Sequence, residues 1–244
     1  MRLELENAGD FKKCIDAISV LIDEAELIVN DKGLELKATD PSQISMVDFV
    51  FPKEGFKKFD LKKETRLGLD LDYFSQVMSR TKSDDALVID LPEGESSLKI
   101  TFKGGSTRSF SIPLIDVSAG EIPSPKIDFD AVLKLNSRVL GDALKDAQLI
   151  ATHVLIEVNE TQMSVKANSS KGKLENITDK KEMQEFKVKA DSRAMFPLDY
   201  LTDMLKGAGT ELVLSMKSNA PIKLDYEIGK AKITYFLAPR IESD

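Results

Sequence analysis

The sequence predicts an α+β protein that uses one domain plan twice: two similar halves, each with two short helices on one face of antiparallel sheets. Three observations predict it. LDYFSQVM (71–78) returns as LDYLTDML (198–205), 127 residues later. FSIPLID (110–116) lies over FLAPRIE (236–242) at a shift of 126, with Pro113 over Pro239. The remainder of each half is a series of short apolar runs that stop at turn residues. Several anchors held at one offset mark a duplication.

Taken in order, Phe11, Cys14, Ile15, Ile18 and Ile22 fall at helical spacing, and Asp10 suits the N-cap. ELIV, GLELKATD and ISMVDFVF follow as strands, divided by NDKG and closed by PKEG. Tyr73, Phe74, Val77 and Met78 mark a second short helix. ALVIDL, SLKITF and TRSFSIPLID are then strands, joined by PEGE and by a Gly104-Gly105 hairpin step. The second half repeats the order. Val139, Leu140, Ala143, Leu144 and Ala147 mark its first helix; HVLIEV, QMSVKA, KLENIT and EFKVKA are strands. LDYLTDMLKGAG is its second helix, with Gly207 or Gly209 as the stop, and ELVLSM, IKLDYEI and AKITYFLAPRIE close it. VSAGEIPSPKIDFDA, with two prolines and a glycine, reads as an extended connector. The expected domains are residues 1–115 and 129–244, joined by 116–128.

The 244 residues suit two cores of ordinary size, and 42% hydrophobic with 31% charged residues exclude a disordered chain. No apolar run approaches the roughly 20 residues of a membrane helix, and MRLELENAGDFKK has no apolar signal region. A single cysteine, Cys14, excludes an intrachain disulfide and points to a cytoplasmic protein. The net charge of −7 argues against non-specific nucleic-acid binding by the surface as a whole, but not against a local basic lining.

Catalytic chemistry finds no constellation. His153 is the only histidine, so neither a multi-histidine metal site nor a histidine triad with a spare can be built. GAG at 207–209 follows a helix rather than a strand, which makes it a stop and not a dinucleotide loop. Asp70 with Asp72, and Asp84 with Asp85, could be pictured as acid–base or metal pairs. Nothing completes either, and capping and turn chemistry explain them better. No cofactor, metal or catalytic residue is expected. A carboxylate-using hydrolase on a duplicated fold stays a remote alternative.

DPSQISMVDFVF (40–51), the connector with EIP (121–123), and FLAPRIES (236–243) resemble the sliding DNA clamps of the proliferating cell nuclear antigen type, in their archaeal form. The resemblance covers repeat, length, connector and tail. It implies three subunits joined head to tail in a ring of six domains, with sheets outside and helices lining a bore for duplex DNA. It implies no catalytic activity. The partners implied are DNA polymerase, clamp loader, ligase and nucleases, and the chain itself as a homotrimer. One subunit of a heterotrimer is the alternative within the family.

The expected DNA-facing cations are Lys12, Lys13, Arg80, Lys82, Arg138, Lys145 and Lys206. Lys12, Lys13, Lys145 and Lys206 fall where the family places inner basic residues; Ser19 and Gln76 fill two other such places, which weakens the lining. The same helices carry Asp16, Asp142, Asp146, Asp199 and Asp203, so a basic lining requires cations and carboxylates to take different faces. The plainer alternative is that these lysines are solvated helix residues.

For the subunit joint, the resemblance points to Arg108, Ser109, Phe110, Ser111 and Ile112 on one edge and Leu174, Asn176 and Ile177 on the other. Asp142 and Asp146, on one helix face, are expected to pair across the joint with Arg80, Lys82 and Arg108. The family also binds Gln-x-x-aliphatic-x-x-aromatic-aromatic peptides. By position the pocket is Thr39, Ile44, Met46, Ile122, Pro123, Pro221, Phe236, Leu237, Ala238 and Pro239, with backbone at Ala238 to Arg240 receiving the glutamine. Phe236 stands where many relatives carry tyrosine. For Ile44, Met46 and Leu237, plain core packing is the competing explanation.

Overall fold

A computed structural model describes residues 1–117, 120 and 122–240. Glu121 of the EIP stretch, and Ile241, Glu242 and Ser243 of FLAPRIES, lie outside the described residues. The first half runs β1 (Arg2–Leu5), α1 (Ala8–Ser19), β2 (Glu24–Asn30), β3 (Gly33–Thr39), β4 (Ser45–Pro52), β5 (Lys58–Asp60), β6 (Thr65–Asp70), α2 (Leu71–Met78), β7 (Ala86–Asp90), β8 (Ser97–Lys103) and β9 (Thr107–Pro113). The second runs β10 (Ala131–Asn136), α3 (Ser137–Gln148), β11 (His153–Val158), β12 (Gln162–Ser169), β13 (Gly172–Asp179), β14 (Glu185–Val188), β15 (Ser192–Pro197), α4 (Leu198–Leu205), β16 (Glu211–Met216), β17 (Ile222–Ile228) and β18 (Ala231–Leu237). Each half therefore spells the same order, down to a single 3-10 turn after its fourth strand.

The chain divides into two compact units. Residues 1–41, 47–122 and 228–233 form the first; 42–46, 123–227 and 234–244 form the second. In the first, β5-β1-β7-β8-β9 form one sheet, and β4, β3, β2 and β6 follow one another in a second. In the second unit, β13-β12-β11-β15 form a four-stranded sheet, and β14, β10, β16 and β17 run in that order in another. Neighbouring strands such as β1 and β5, β10 and β16, β12 and β13, and β8 and β9 run antiparallel. β9 ends the first sheet and β13 ends the four-stranded one, so both expose a ladder edge.

Alternation drives the burial. β11 buries Val154, Ile156 and Val158 and turns His153, Leu155 and Glu157 outward. α1 buries Ala8, Phe11, Cys14, Ile15 and Ile18 along one stripe. Phe11 meets Phe51 edge-on at 5.8 Å and Phe74 of α2 at 6.4 Å. In the second unit α3 buries Leu140, Ala143, Leu144 and Ala147, α4 buries Leu201 and Met204, and α3 packs on β12 and β13. Each of the phenylalanines, leucines, isoleucines, valines and methionines among them, when wholly buried, contributes about 1.5–3 kcal/mol.

Three helix ends differ from expectation. Asn7, not Asp10, caps α1: its Oδ1 accepts from the Gly9 amide at 2.6 Å, and Asp10 sits inside the first turn. Ile22 is buried but lies beyond the helix. α4 ends with Lys206 as a right-handed cap, ahead of both candidate glycines. The expected strand 107–116 stops at Pro113; beyond it the Ile115 amide donates to Gly68 O at 3.0 Å. A Cβ on Gly68 would lie 2.0 Å from the Ile115 carbonyl, which is why glycine stands on that strand.

Candidate nucleic-acid and partner-peptide surfaces

The expected DNA-facing cations are mostly exposed, but they do not stand apart from the carboxylates of their helices. Lys12 pairs with Asp16 four residues on, and Lys13 with Asp10 at 3.0 Å. Lys145 pairs with Asp142 at 3.2 Å and Lys206 with Asp203 at 2.6 Å. The separate faces that a basic lining requires are thus absent on α1, α3 and α4: spacing of three or four residues brings the opposite charges together. α2 carries no cation, because it ends at Met78, before Arg80 and Lys82. Among the described residues Arg80 and Arg138 have no carboxylate at ion-pair distance. Arg138, Lys145 and Lys206 gather around a cleft of about 270 Å³ between α3 and α4.

Arg108 is committed within its own unit. Its guanidinium donates to Asp85 and to the Arg80 carbonyl, at 2.6 Å for the latter, and lies 5.3 Å from the Phe102 ring centre. Asp85 is buried and also accepts from the Lys82 amide at 2.7 Å. Burial pushes the Asp85 carboxyl up, but the Lys82 amide and Arg108 together outweigh it and hold the group below its ordinary value. Arg108 Nε is buried with no hydrogen-bond partner, a cost the other two nitrogens offset. Sequence reasoning placed Arg108 at a joint; a contact between residues 23 apart left no local signal.

The other acidic candidates also have local work. Asp70 caps α2 by accepting from the Tyr73 amide at 2.8 Å, and Asp72 lies in the first turn. Among the described residues no three of His, Cys, Asp and Glu gather as a metal site would need.

On the joint edges, Ser109 and Ser111 are exposed, Phe110 is half-buried and Ile112 is wholly buried. On β13, Ile177 is 54% exposed and Leu174 and Asn176 are half-buried. Leu149, at the C-cap of α3, is 74% exposed. Sequence reading missed it because a leucine at a helix end looks like core until the packing is seen.

Of the expected peptide pocket, Leu237 is wholly buried, and Met46 and Phe236 nearly so. Those three are core in the isolated chain. Ile44, Ala238 and Pro239 are half-buried, as are Ile122 and Pro221, while Thr39 and Pro123 are exposed. The Ala238 amide donates to the Ile44 carbonyl at 2.8 Å and the Arg240 amide to the Met195 carbonyl at 2.7 Å. Pro239 has no amide hydrogen. The backbone at 238–240 therefore has carbonyls, not amides, left to receive a glutamine side chain.

Residues 1–119 match the family described as proliferating cell nuclear antigen, N-terminal domain, and residues 123–241 match its C-terminal domain. A DNA polymerase sliding clamp of Methanococcus vannielii is 35% identical over 244 residues, covering 97% of this chain and 98% of that one. The crystal structure of the antigen from Thermococcus kodakaraensis superposes with a TM-score of 0.93 at 24% identity, covering 98% of this chain and 99% of that chain, a likeness of fold. The A. fulgidus antigen, solved with the C-terminal region of FEN-1 bound, superposes with a TM-score of 0.91 at 27% identity, covering 100% of this chain and 99% of that one.

Proposed function

Since the chain belongs to the proliferating cell nuclear antigen family along both halves, we propose that it is a DNA polymerase sliding clamp: a trimeric ring that encircles duplex DNA and tethers polymerase, ligase and nucleases to it. It acts as a tether and not as a catalyst, in the cytoplasm, on the nucleoid. Among the described residues no helix is long and apolar enough to cross a membrane.

The observation that carries the ring is the pair of open edges. β9 and β13 are the repeat counterparts of β18 and β4. Within the second unit, Ala238, just past β18, already donates its amide to Ile44, just ahead of β4. Repeating that join between chains pairs β9 of one subunit with β13 of the next, with Phe110, Ile177 and Leu149 at the seam. Both edges are then covered, which removes two sites of aggregation. Because Arg108 is bound to Asp85 and Asp142 to Lys145, the charges left for the seam are Arg80, Lys82 and Asp146.

A clamp must hold DNA without stopping on it. Each phosphate neutralised adds affinity and salt dependence. Topology supplies the retention, so the lining needs only weak attraction. Cations at Lys12, Lys13, Lys145 and Lys206 that already hold a carboxylate supply that, with Arg80, Lys82 and Arg138 adding a little more. Partners insert an aliphatic and two aromatic side chains beside Ile44 and Pro239, and give the glutamine amide hydrogens to carbonyls at 238–240.

Sedimentation tests the ring. Three chains of 27.0 kDa give 81 kDa from this protein alone. A monomer that assembles only with related chains would make it one part of a heterotrimer. A particle without a central hole in electron micrographs would overturn the clamp.

A further inference from the structure

The second unit holds a groove of about 720 Å³ that the clamp activity leaves unused. It opens on the outward face of the sheet β13-β12-β11-β15. Leu155 lies opposite Lys166 on one side and Met195 on the other, so these three form one row across the strands. Ile150, Leu155 and Met195 give it an aliphatic floor, and Lys166, Lys171, Arg193 and Arg240 stand around it. Among the described residues no aspartate or glutamate lines it. On a chain of net charge −7 this is a local reversal of sign.

The cations are not equally engaged. On the same face, Glu157 takes Lys166 at 2.6 Å and Arg193 at 3.4 Å, and Glu175 takes Lys166 at 3.1 Å. Among the described residues Lys171 and Arg240 have no carboxylate. Among the described residues these four cations face Glu157, Glu175 and, near His153, Asp199, which leaves a positive surplus at the rim. Burial, helped by Arg240, lowers the His153 pKa, so at neutral pH the ring adds hydrogen bonding and no charge. Thr152 and Asn168 add further polar groups.

The groove starts at Arg240, whose amide is bonded to Met195. Arg240 also ends the stretch of backbone to which the glutamine of a partner peptide has been assigned. In that peptide the apolar anchors follow the glutamine, so residues before it leave the other way, past Arg240. We propose that the groove binds acidic side chains that precede the glutamine in partner peptides; the proposal rests on the glutamine assignment. A carboxylate run matches the positive rim, and its aliphatic stems match the floor. Single-stranded nucleic acid suits the groove less well, because among the described residues no phenylalanine, tyrosine or tryptophan lines it for a base to stack on.

Three labelled peptides test it: the motif alone, the motif preceded by four glutamates, and the motif preceded by four lysines. Each is titrated by fluorescence anisotropy into the native protein and into a Lys171→Glu/Arg193→Gln variant; both side chains are exposed, so folding is preserved. The glutamate extension is expected to tighten binding about three- to tenfold at low salt, the range two or three exposed ion pairs allow. The gain is expected to vanish in the variant and at high salt, while the motif alone binds both proteins equally. Motif binding with no gain from the glutamates, or with a gain kept by the variant, overturns the groove and leaves the glutamine site standing. No binding of the motif peptide overturns both. Displacement of the glutamate peptide by oligothymidine, lost in the same variant, would make the occupant a nucleic acid and also overturn the proposal.

Discussion

Arg108 and Asp85 show how one buried charge pair organises the end of a unit. The carboxylate ties the 82–85 turn to β9 through the Lys82 amide and the guanidinium together. Removing Arg108 leaves a buried carboxylate uncompensated, and removing Asp85 leaves a guanidinium that reaches solvent only in part. Asp85→Asn is expected to cost about 3 kcal/mol in urea unfolding, at the low end for a broken buried pair because Arg108 keeps some contact with solvent. Its pH dependence follows from the lowered folded pKa. The stabilisation is whole above the unfolded value near ~3.9 and is lost as pH falls through the folded value. Native protein should therefore lose stability below about pH 4 more steeply than the variant, measured as melting temperature against pH. Cys14 illustrates the opposite sign. It is wholly buried, and burial pushes its thiol up to about 12. At neutral pH it should resist a thiol reagent in the folded protein and react at once in denaturant. Fast labelling of the native chain would contradict the buried stripe of α1.

At the scale of elements, the helices explain how much of the molecule was legible. Their order and faces were readable because a 3.6-residue stripe such as Phe11, Cys14, Ile15 and Ile18 is a local signal. Their ends were less so: Asn7 and Asp10 are both good caps, and only the backbone turn decides between them. The pairing of Lys145 with Asp142, and of Lys206 with Asp203, was also within reach of the sequence, since spacing of three fixes it. The Arg108 bond, the burial of Leu237 and the groove at Arg240 were not, because each depends on strands brought together from distant stretches. The helix pairs carry a prediction of their own. Asp142→Asn with Asp203→Asn frees two cations per subunit. DNA binding should tighten, and the slope of log affinity against log salt should steepen by roughly 0.9 for each phosphate newly met. Diffusion of the loaded ring along DNA should slow. An unchanged slope would mean that these helices do not meet phosphates.

The whole molecule is governed by two edges that are unlike. β9 offers Phe110 and two serines; β13 offers Leu174, Asn176 and Ile177. Like therefore does not pair with like, and the assembly is head to tail. Phe110→Asp with Ile177→Asp should shift the native mass from 81 kDa toward 27.0 kDa in sedimentation, with folding intact because Phe110 is half-buried and Ile177 more exposed still. A subunit spoiled on β9 alone keeps a sound β13 and still recruits one neighbour. Mixed with normal chains, it enters rings and leaves them open, so the share of closed circles falls as the cube of the normal fraction. A lesion at one edge would then be felt in a cell that still makes ample good protein, as a poison and not as a simple loss.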